Sequence, residues 1–267
     1  MTARRIACSW DDFRRRLRDR DGRPIEPIYR GQARISWSLV PPSKRLTLAS
    51  IEQHDALAEK NEIFRVRREF DSAAYDGQWK HFRHLATGLP GASLVGMGDD
   101  EVQALARHHG LCTNLLDWTI SPYVAAFFAY ASALDIANEG RLFAGVISYA
   151  PIYPPRENIA VWRLGVSEGL WVAGEFDCLN NLSAGNLHQK AQSGLFTRLR
   201  HRDIADLETY LEQRGMSDHL EVFEIAASDA LGALADLKDM NITFATLFPD
   251  LRGAAMHANF ASILELY

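Results

Sequence analysis

The 267-residue sequence has only three cysteines, Cys8, Cys112 and Cys178, and no two of them are close together. An odd number with this spacing argues against a disulfide framework and is typical of a reducing compartment. No apolar run approaches the length of a membrane span, and the opening residues, MTARRIACSWDDF, are too poor in apolar residues for a secretory signal. We therefore expect a soluble, cytoplasmic protein that does not bind membranes.

The usual nucleotide-binding signatures are also missing, because the sequence contains neither a G-x-G-x-x-G nor a P-loop motif. A net charge of −5 gives no support for general nucleic-acid binding, which depends on neutralising phosphates. The basic stretch 14–23 is interrupted by Asp residues and is interpreted as a solvated helix face. No G-x-S-x-G elbow is present, although a Ser-His-Asp triad remains open as an alternative.

A metal site is not expected. His109 and Cys112 are separated by two residues, but no second pair completes a tetrahedral ligand set. His108 and His109 end a predicted helix, where a cationic histidine interacts well with the negative end of the helix dipole.

Apolar periodicity and capping residues predict a mixture of helices and strands. Helices are predicted from Ser9 as the N-cap to about Gly22, and over residues 50–75, 99–110, 122–134, 202–215, 228–240 and 254–267. Strands are predicted over residues 25–32, 113–118, 141–149, 160–166, 169–176, 192–199 and 220–227. Because there is no steady βαβ alternation, we expect an α+β fold with mixed, largely antiparallel sheets flanked by helices.

Two stretches carry polar residues where a plain turn does not need them. Tyr29-Arg30-Gly31-Gln32 ends a predicted strand, where an Arg fork suits an anion and Gly admits a ligand close to the backbone. The alternative is a surface Arg before an ordinary turn.

The second stretch, TNLLDWTISP, places Thr113, Asp117, Trp118, Thr119 and Ser121 where a strand meets a helix. A buried Asp117 must be paired, and Arg30, Arg45 or backbone N–H groups are the candidates. A structural Asp that ties the strand to the turn is an equally good interpretation. Further along, Gln192 begins a polar turn before a strand and is a candidate donor to a ligand or to a neighbouring loop.

Taken in order, these segments resemble the FRG domain, a bacterial and phage-associated family named for its Phe/Tyr-Arg-Gly motif. The resemblance rests on YRGQ, WSLVPPSKR, ARHHGLCTNLLDWTISPYVAAFFA, AQSGLFT and LFPDLRG. It departs from the family pattern at Arg107, where Gln is typical, and at Cys112, where Pro is frequent. It implies a single domain over residues 1–267, with an N-terminal helix in 1–24, the FRG core in 25–255 and a C-terminal helix in 256–267.

The motif order is similar to that of mono-ADP-ribosyltransferases, which implies an ADP-ribosyltransferase-like core that uses NAD as substrate. Arg30, Asp117 and Gln192 would then be catalytic. The implied NAD-binding residues are Tyr29, Arg30, Gly31, Gln32, Thr113, Trp118, Thr119 and Ser121. A toxin or anti-phage effector is the cellular role that the resemblance implies.

The Glu-x-Glu or Gln-x-Glu of such transferases is absent, and Gln192 stands near its place in the order. Either another carboxylate, such as Asp117 or Glu69, reaches the ribose, or the site binds without turnover. The hypotheses are therefore an ADP-ribosyltransferase, an NAD glycohydrolase, and a noncatalytic module that binds a nucleotide or a partner protein.

Overall fold

The computed structural model describes residues 3–18, 27–45, 77–89, 94–138, 153–166, 169–172, 174–179, 187–200, 204 and 206–264. Its centre is one seven-stranded sheet. The strands are β1 (Arg4–Cys8), β2 (Ile28–Gln32), β3 (Leu115–Thr119), β4 (Ile159–Leu164), β5 (Phe176–Leu179), β6 (Gly194–Leu199) and β7 (Leu220–Ile225).

The strand order across the sheet is β1-β7-β4-β2-β3-β6-β5. Only β1 and β7 pair in parallel, and every other neighbouring pair in this sheet is antiparallel. The prediction of an α+β fold with a mixed, largely antiparallel sheet is confirmed, and the strands that the structure describes form one sheet in place of several.

Helices cover the sheet. They are α1 (Trp10–Arg18), α2 (Gln78–Ala86), α3 (Asp99–His108), α4 (Pro122–Ala137), α5 (Leu187–Ala191), α6 (Leu207–Gln213), α7 (Ala230–Asp239), α8 (Phe244–Leu247) and α9 (Leu251–Leu264). No helix among the described residues is both long and apolar enough to span a membrane.

Helix α4 is the central helix of the first face of the sheet. Ser121 caps it, accepting a hydrogen bond from the Val124 N–H at 3.3 Å, and Pro122 is its first residue, as predicted. Its residues are apolar on nearly every side, which is typical of a helix enclosed by other elements. It is enclosed here by the sheet, α1, α7 and the aromatic residues of α8 and α9.

The second face carries a separate core. Strand residues that alternate with those facing α4, such as Trp162 and Val222, pack there against Leu39 and the buried residues of α6. Glu208 of α6 accepts a hydrogen bond from the Leu39 N–H at 3.0 Å, which fixes the loop that follows β2.

Strands β2 and β3 separate soon after they meet. β2 pairs with β4 along its whole length, but with β3 only through Tyr29 and Thr119. Beyond that pair the two strands leave an opening in the first face of the sheet, and this opening locates the candidate site.

Several predicted elements differ from those in the structure. The predicted strand 169–176 is wrong: its described residues contain turns at Gly169 and Gly174 and one isolated bridge, and the strand that follows is β5. Helix α6 starts after Asp206, whose side chain accepts from the Thr209 N–H at 2.7 Å. Strand β1 and helices α2, α5 and α8 were not predicted. The predicted helix 50–75 and strand 141–149 lie outside the described residues.

Candidate functional site

A cavity of about 350 Å³ opens where β2 and β3 separate, under α4. This volume is at the small end of the range for small-molecule sites. Most of the predicted site residues line it, namely Tyr29, Arg30, Gly31, Asp117, Trp118, Thr119 and Gln192. The structure therefore brings together three segments that are far apart in the chain, while the roles assigned to these residues stay predictions.

Arg30 reaches the cavity from β2, with its side chain 12% exposed. One of its terminal nitrogens, Nη1, donates to the backbone carbonyl of Asp117 at 2.8 Å and lies 3.4 Å from the Asp117 carboxylate. Burial lowers the pKa of Arg30 to about 10, opposed by the charge of Asp117. The guanidinium is therefore still charged at neutral pH, which an anion-binding residue requires.

Asp117 is held mainly by a residue that the sequence analysis did not pair with it. Arg107 donates from Nη2 to the Asp117 carboxylate at 2.6 Å and from Nε at 3.2 Å. The predicted partner Arg30 is the second, longer contact, and Arg45 makes no direct ion pair with Asp117 within the described part of the chain.

The two arginines keep Asp117 ionised. Burial raises its pKa, but the charge and hydrogen bonds of Arg107, together with the charge of Arg30, outweigh this and bring the pKa to about 2. The side chain still exposes 44% of its surface, because it faces the cavity. Such a carboxylate is too weak a base for proton transfer near pH 7.

Arg107 is the last-turn cation of α3 and has its side chain 22% exposed. The sequence signal for it was its departure from the family pattern, where Gln is typical. Its pKa is raised, since Asp117 outweighs the opposing effect of burial. The charge of Arg45 lowers the pKa of Arg30, and the charge of Arg107 lowers the pKa of Arg45. Three cations therefore lie near the one Asp117 carboxylate.

Gly31 is needed for packing. A Cβ added there would lie 1.9 Å from the carbonyl oxygen of Ala125, so only glycine lets α4 lie this close to β2. The glycine was expected to admit a ligand close to the backbone, whereas in the structure it admits helix α4.

Thr119 fixes the joint between β3 and α4. Its hydroxyl donates to the backbone carbonyl of Gln192 at 2.8 Å and accepts from the Ser121 N–H at 3.0 Å. The Gln192 amide donates to the carbonyl of Leu247 at 3.1 Å. Both predicted roles of Gln192, towards a loop and towards the cavity, therefore fit its position.

Three predicted site residues do not line the cavity. Gln32 is buried, donating to the Ser38 carbonyl and accepting from Trp162. Thr113 is buried and bonds within its own loop, and Ser121 is the cap of α4. Trp118 reaches the lining, but its indole N–H is already bonded to Thr197 at 2.8 Å.

Two aromatic residues of the cavity wall were not predicted. Phe128 of α4 and Phe248, just after α8, meet edge to face with ring centroids 5.9 Å apart. Together with Tyr29 they give the cavity an aromatic part of its lining, which can hold a flat ring.

Two further expectations concern acids and metals. Glu69, the other candidate carboxylate, lies outside the described residues. Among the residues that are described, no group of three or more His, Cys, Asp or Glu side chains could hold a metal ion.

Residues 26–137 match the family model of the FRG domain, from two residues before β2 to the last residue of α4. This match supports the resemblance to the FRG family, and the later motifs AQSGLFT and LFPDLRG lie outside it. No curated protein and no solved structure matches the chain significantly.

Proposed function

We propose that this cavity binds NAD and that the protein is an ADP-ribosyltransferase-like enzyme, with a core of that type. The observation that carries the proposal is the meeting of Arg30, Asp117 and Gln192 around one opening in the sheet. A charged fork for a phosphate and an aromatic wall for a flat base are the two features that a dinucleotide needs.

The chemistry would break the bond between nicotinamide and ribose. Positive charge develops on the sugar, and a fixed acceptor beside it lowers the barrier. Gln192 lines the cavity, and in this scheme its amide oxygen is the acceptor, while its N–H donates to the Leu247 carbonyl and holds the amide. In this scheme Arg30 holds a phosphate, and Phe128 or Phe248 contacts the nicotinamide ring. A toxin or anti-phage effector remains the cellular role we propose.

A noncatalytic nucleotide-binding module is the second candidate. The observation that favours it is the state of the two acceptors: Gln192 is neutral, and the charge of Asp117 is already shared with Arg107 and Arg30. Neither group stabilises a positive sugar as well as a free carboxylate would.

The test incubates the purified protein with NAD labelled in the adenylate part, with and without a cell extract as the source of acceptors. A labelled macromolecule supports the transferase, and free ADP-ribose without one supports an NAD glycohydrolase. Thermal stabilisation by NAD without any loss of NAD supports the binding module. Neither loss nor binding would rule out all three.

Arg30→Ala is the site variant for this assay, and Arg34→Ala is its matched control. Arg34 lies four residues along the chain, has a 42% exposed side chain and pairs with Glu157 at 3.7 Å, away from the cavity. We expect Arg30→Ala to lose the stabilisation by NAD and Arg34→Ala to keep it. Equal behaviour of the two variants would remove Arg30 from the site.

A further inference from the structure

Resting on the proposed function, we infer that Arg107 and Arg30 form the diphosphate subsite of this cavity, and that Asp117 is a positioning residue that orients both guanidinium groups. Asp117 therefore does not supply the negative charge beside the reacting sugar. The inference adds Arg107 to the binding residues and changes the role of Asp117.

Positive charges outnumber negative charges around the cavity. Asp117 is the one carboxylate among the residues that line the cavity in the described part of the chain, while Arg30 and Arg107 both line it and the charge of Arg45 acts on Arg30. Three cations and one anion leave two positive charges unmatched. A diphosphate diester carries two negative charges, so it would complete the balance in a partly buried setting, where charges need partners.

Arg107 and Arg30 each have a terminal nitrogen that makes no hydrogen bond to the described residues. Arg107 binds the Asp117 carboxylate through Nε and Nη2, and Arg30 binds Asp117 through Nη1. Nη1 of Arg107 and Nη2 of Arg30 have no hydrogen-bond partner among the described residues, and neither is among the fully buried unpaired atoms. Each guanidinium thus keeps a terminal nitrogen that the described residues do not engage and that an anion could bind.

Asp117 orients the guanidinium groups of both arginines. An arginine is a flexible side chain, and holding it in one geometry before the ligand arrives reduces the entropy that binding costs. Asp117 contacts both guanidinium groups at once, at 2.6 Å from Arg107 and 3.4 Å from Arg30. One carboxylate therefore fixes the two cations side by side, which is the arrangement that two adjacent phosphates require.

The test measures dissociation constants at constant ionic strength for ADP-ribose, ADP, inorganic pyrophosphate and adenosine. The wild-type protein should bind ADP-ribose and ADP at least 10-fold more tightly than adenosine. Arg107→Gln should weaken ADP-ribose, ADP and pyrophosphate by about 10- to 100-fold, the loss of one charged hydrogen bond, and leave adenosine unchanged.

Asp117→Asn gives the most discriminating result. If Asp117 acted only through its charge, removing a negative charge beside the ligand would tighten the binding of ADP-ribose. We expect weaker binding instead, by about 10-fold, the scale at which orienting partners act in metal sites. Tighter binding in this variant, or an Arg107→Gln affinity within twofold of the wild type, would overturn the inference.

NAD turnover separates this inference from the proposed function. With an active enzyme, both variants should raise KM and leave kcat nearly unchanged, whereas a catalytic Asp117 would lower kcat in Asp117→Asn. Diphosphate binding with the expected variant effects but no NAD consumption supports the subsite and contradicts the enzyme. NAD consumption with an unchanged KM in Arg107→Gln supports the enzyme and contradicts the subsite.

The Arg107→Lys variant distinguishes a loss of binding from a folding defect. It keeps the charge but loses the planar fork, so its affinity for ADP-ribose should lie between those of the wild type and Arg107→Gln. The melting temperature without ligand is recorded for every variant, and Arg34→Gln is the control for loss of an exposed arginine.

Discussion

The two ends of α3 make ion pairs of opposite polarity with two neighbouring strands, one with β6 and the other with β3. Near its start, Asp100 accepts from Arg198 of β6 at 2.5 Å, and near its end, Arg107 donates to Asp117 of β3 at 2.6 Å. Buried Ala104 lies between them on the same helix face. At the first end the helix supplies the carboxylate and the strand supplies the arginine, and at the second end the reverse holds. An ion pair therefore fixes each end of α3 to the sheet.

The two ends differ in the burial of their arginines and in charge. Arg198 is 4% exposed and lies between Asp100 and Asp177, and Arg200 also pairs with Asp177, so cations and anions are equal in number. At the other end Arg107 is 22% exposed, its partner Asp117 faces a cavity, and cations exceed anions among the described residues. We call the Arg198 end closed and the Arg107 end open. A balanced cluster needs nothing further. An open cluster with unmatched charge has the properties of a ligand site.

The largest effect should come from Gly31→Ala, a change in the wall of the cavity at the open end. Its Cβ would overlap the Ala125 carbonyl at 1.9 Å, so α4 must shift away from β2. We expect a loss of about 3 kcal/mol or more in the free energy of unfolding, typical of overpacking at its upper limit. Urea unfolding measures it.

Gly194→Ala is the matched control for that change. Its Cβ would lie 3.3 Å from a Gln189 side-chain atom, which can move. The control should lose less than about 1 kcal/mol. Equal losses in the two variants would mean that the contact between α4 and β2 is not as tight as described.

The ion pairs of Arg198 at the closed end should matter more for stability than the ion pair of Arg107 at the open end. Arg198→Leu leaves Asp100 and Asp177 with less compensation, and we expect a loss of about 2–3 kcal/mol in the free energy of unfolding. Arg107→Gln removes a partly exposed pair, so its loss should be less than about 1 kcal/mol. Urea unfolding of both variants without ligand decides the point. The comparison fails if Arg107→Gln is the more destabilised.

The smallest effect should be a dependence of the free energy of unfolding on pH in the acid range. The pKa of Asp117 is lowered to about 2 in the folded protein, below the ordinary value of about 4 in an unfolded chain. The ionised carboxylate therefore stabilises the fold above about pH 4, and this contribution is lost as the pH falls towards 2.

Asp117→Asn should remove that contribution. Since the carboxylate is partly exposed, the stability gap between wild type and variant should be at most about 1 kcal/mol at pH 5 and should shrink towards pH 2. Unfolding in urea at several pH values measures the gap. A gap that does not change with pH would show that Asp117 keeps an ordinary pKa.

Local chemistry made several elements predictable. Ser121 and Pro122 mark the start of α4, and the acidic first turn of α3 and Gly110 after it mark that helix. By contrast, β1 has few apolar residues to indicate a strand, and it forms one by pairing with β7. A strand that depends on a partner more than 200 residues away leaves little signal in its own residues.

The residues of the candidate site also fall into two groups, those that the sequence predicted and those that only the structure located. Arg30, Asp117 and Gln192 were predicted from motifs, because residue type and order are visible in a sequence. Arg107 was noticed only as a departure from the family pattern, and Phe128 and Phe248 not at all. These three belong to helical or loop segments whose own patterns are fully explained by local structure.

The sequence by itself determined which residues start and end the main helices, which class of fold they build, and which motifs could hold an anion. The tertiary structure alone decided that Arg107 pairs with Asp117, that Gly31 serves the packing of α4, and that β2 and β3 separate to leave a cavity. The physical reason is that capping and periodicity act between residues within a few positions of one another. The charge balance and closure of a site depend instead on residues that only the folded chain brings together.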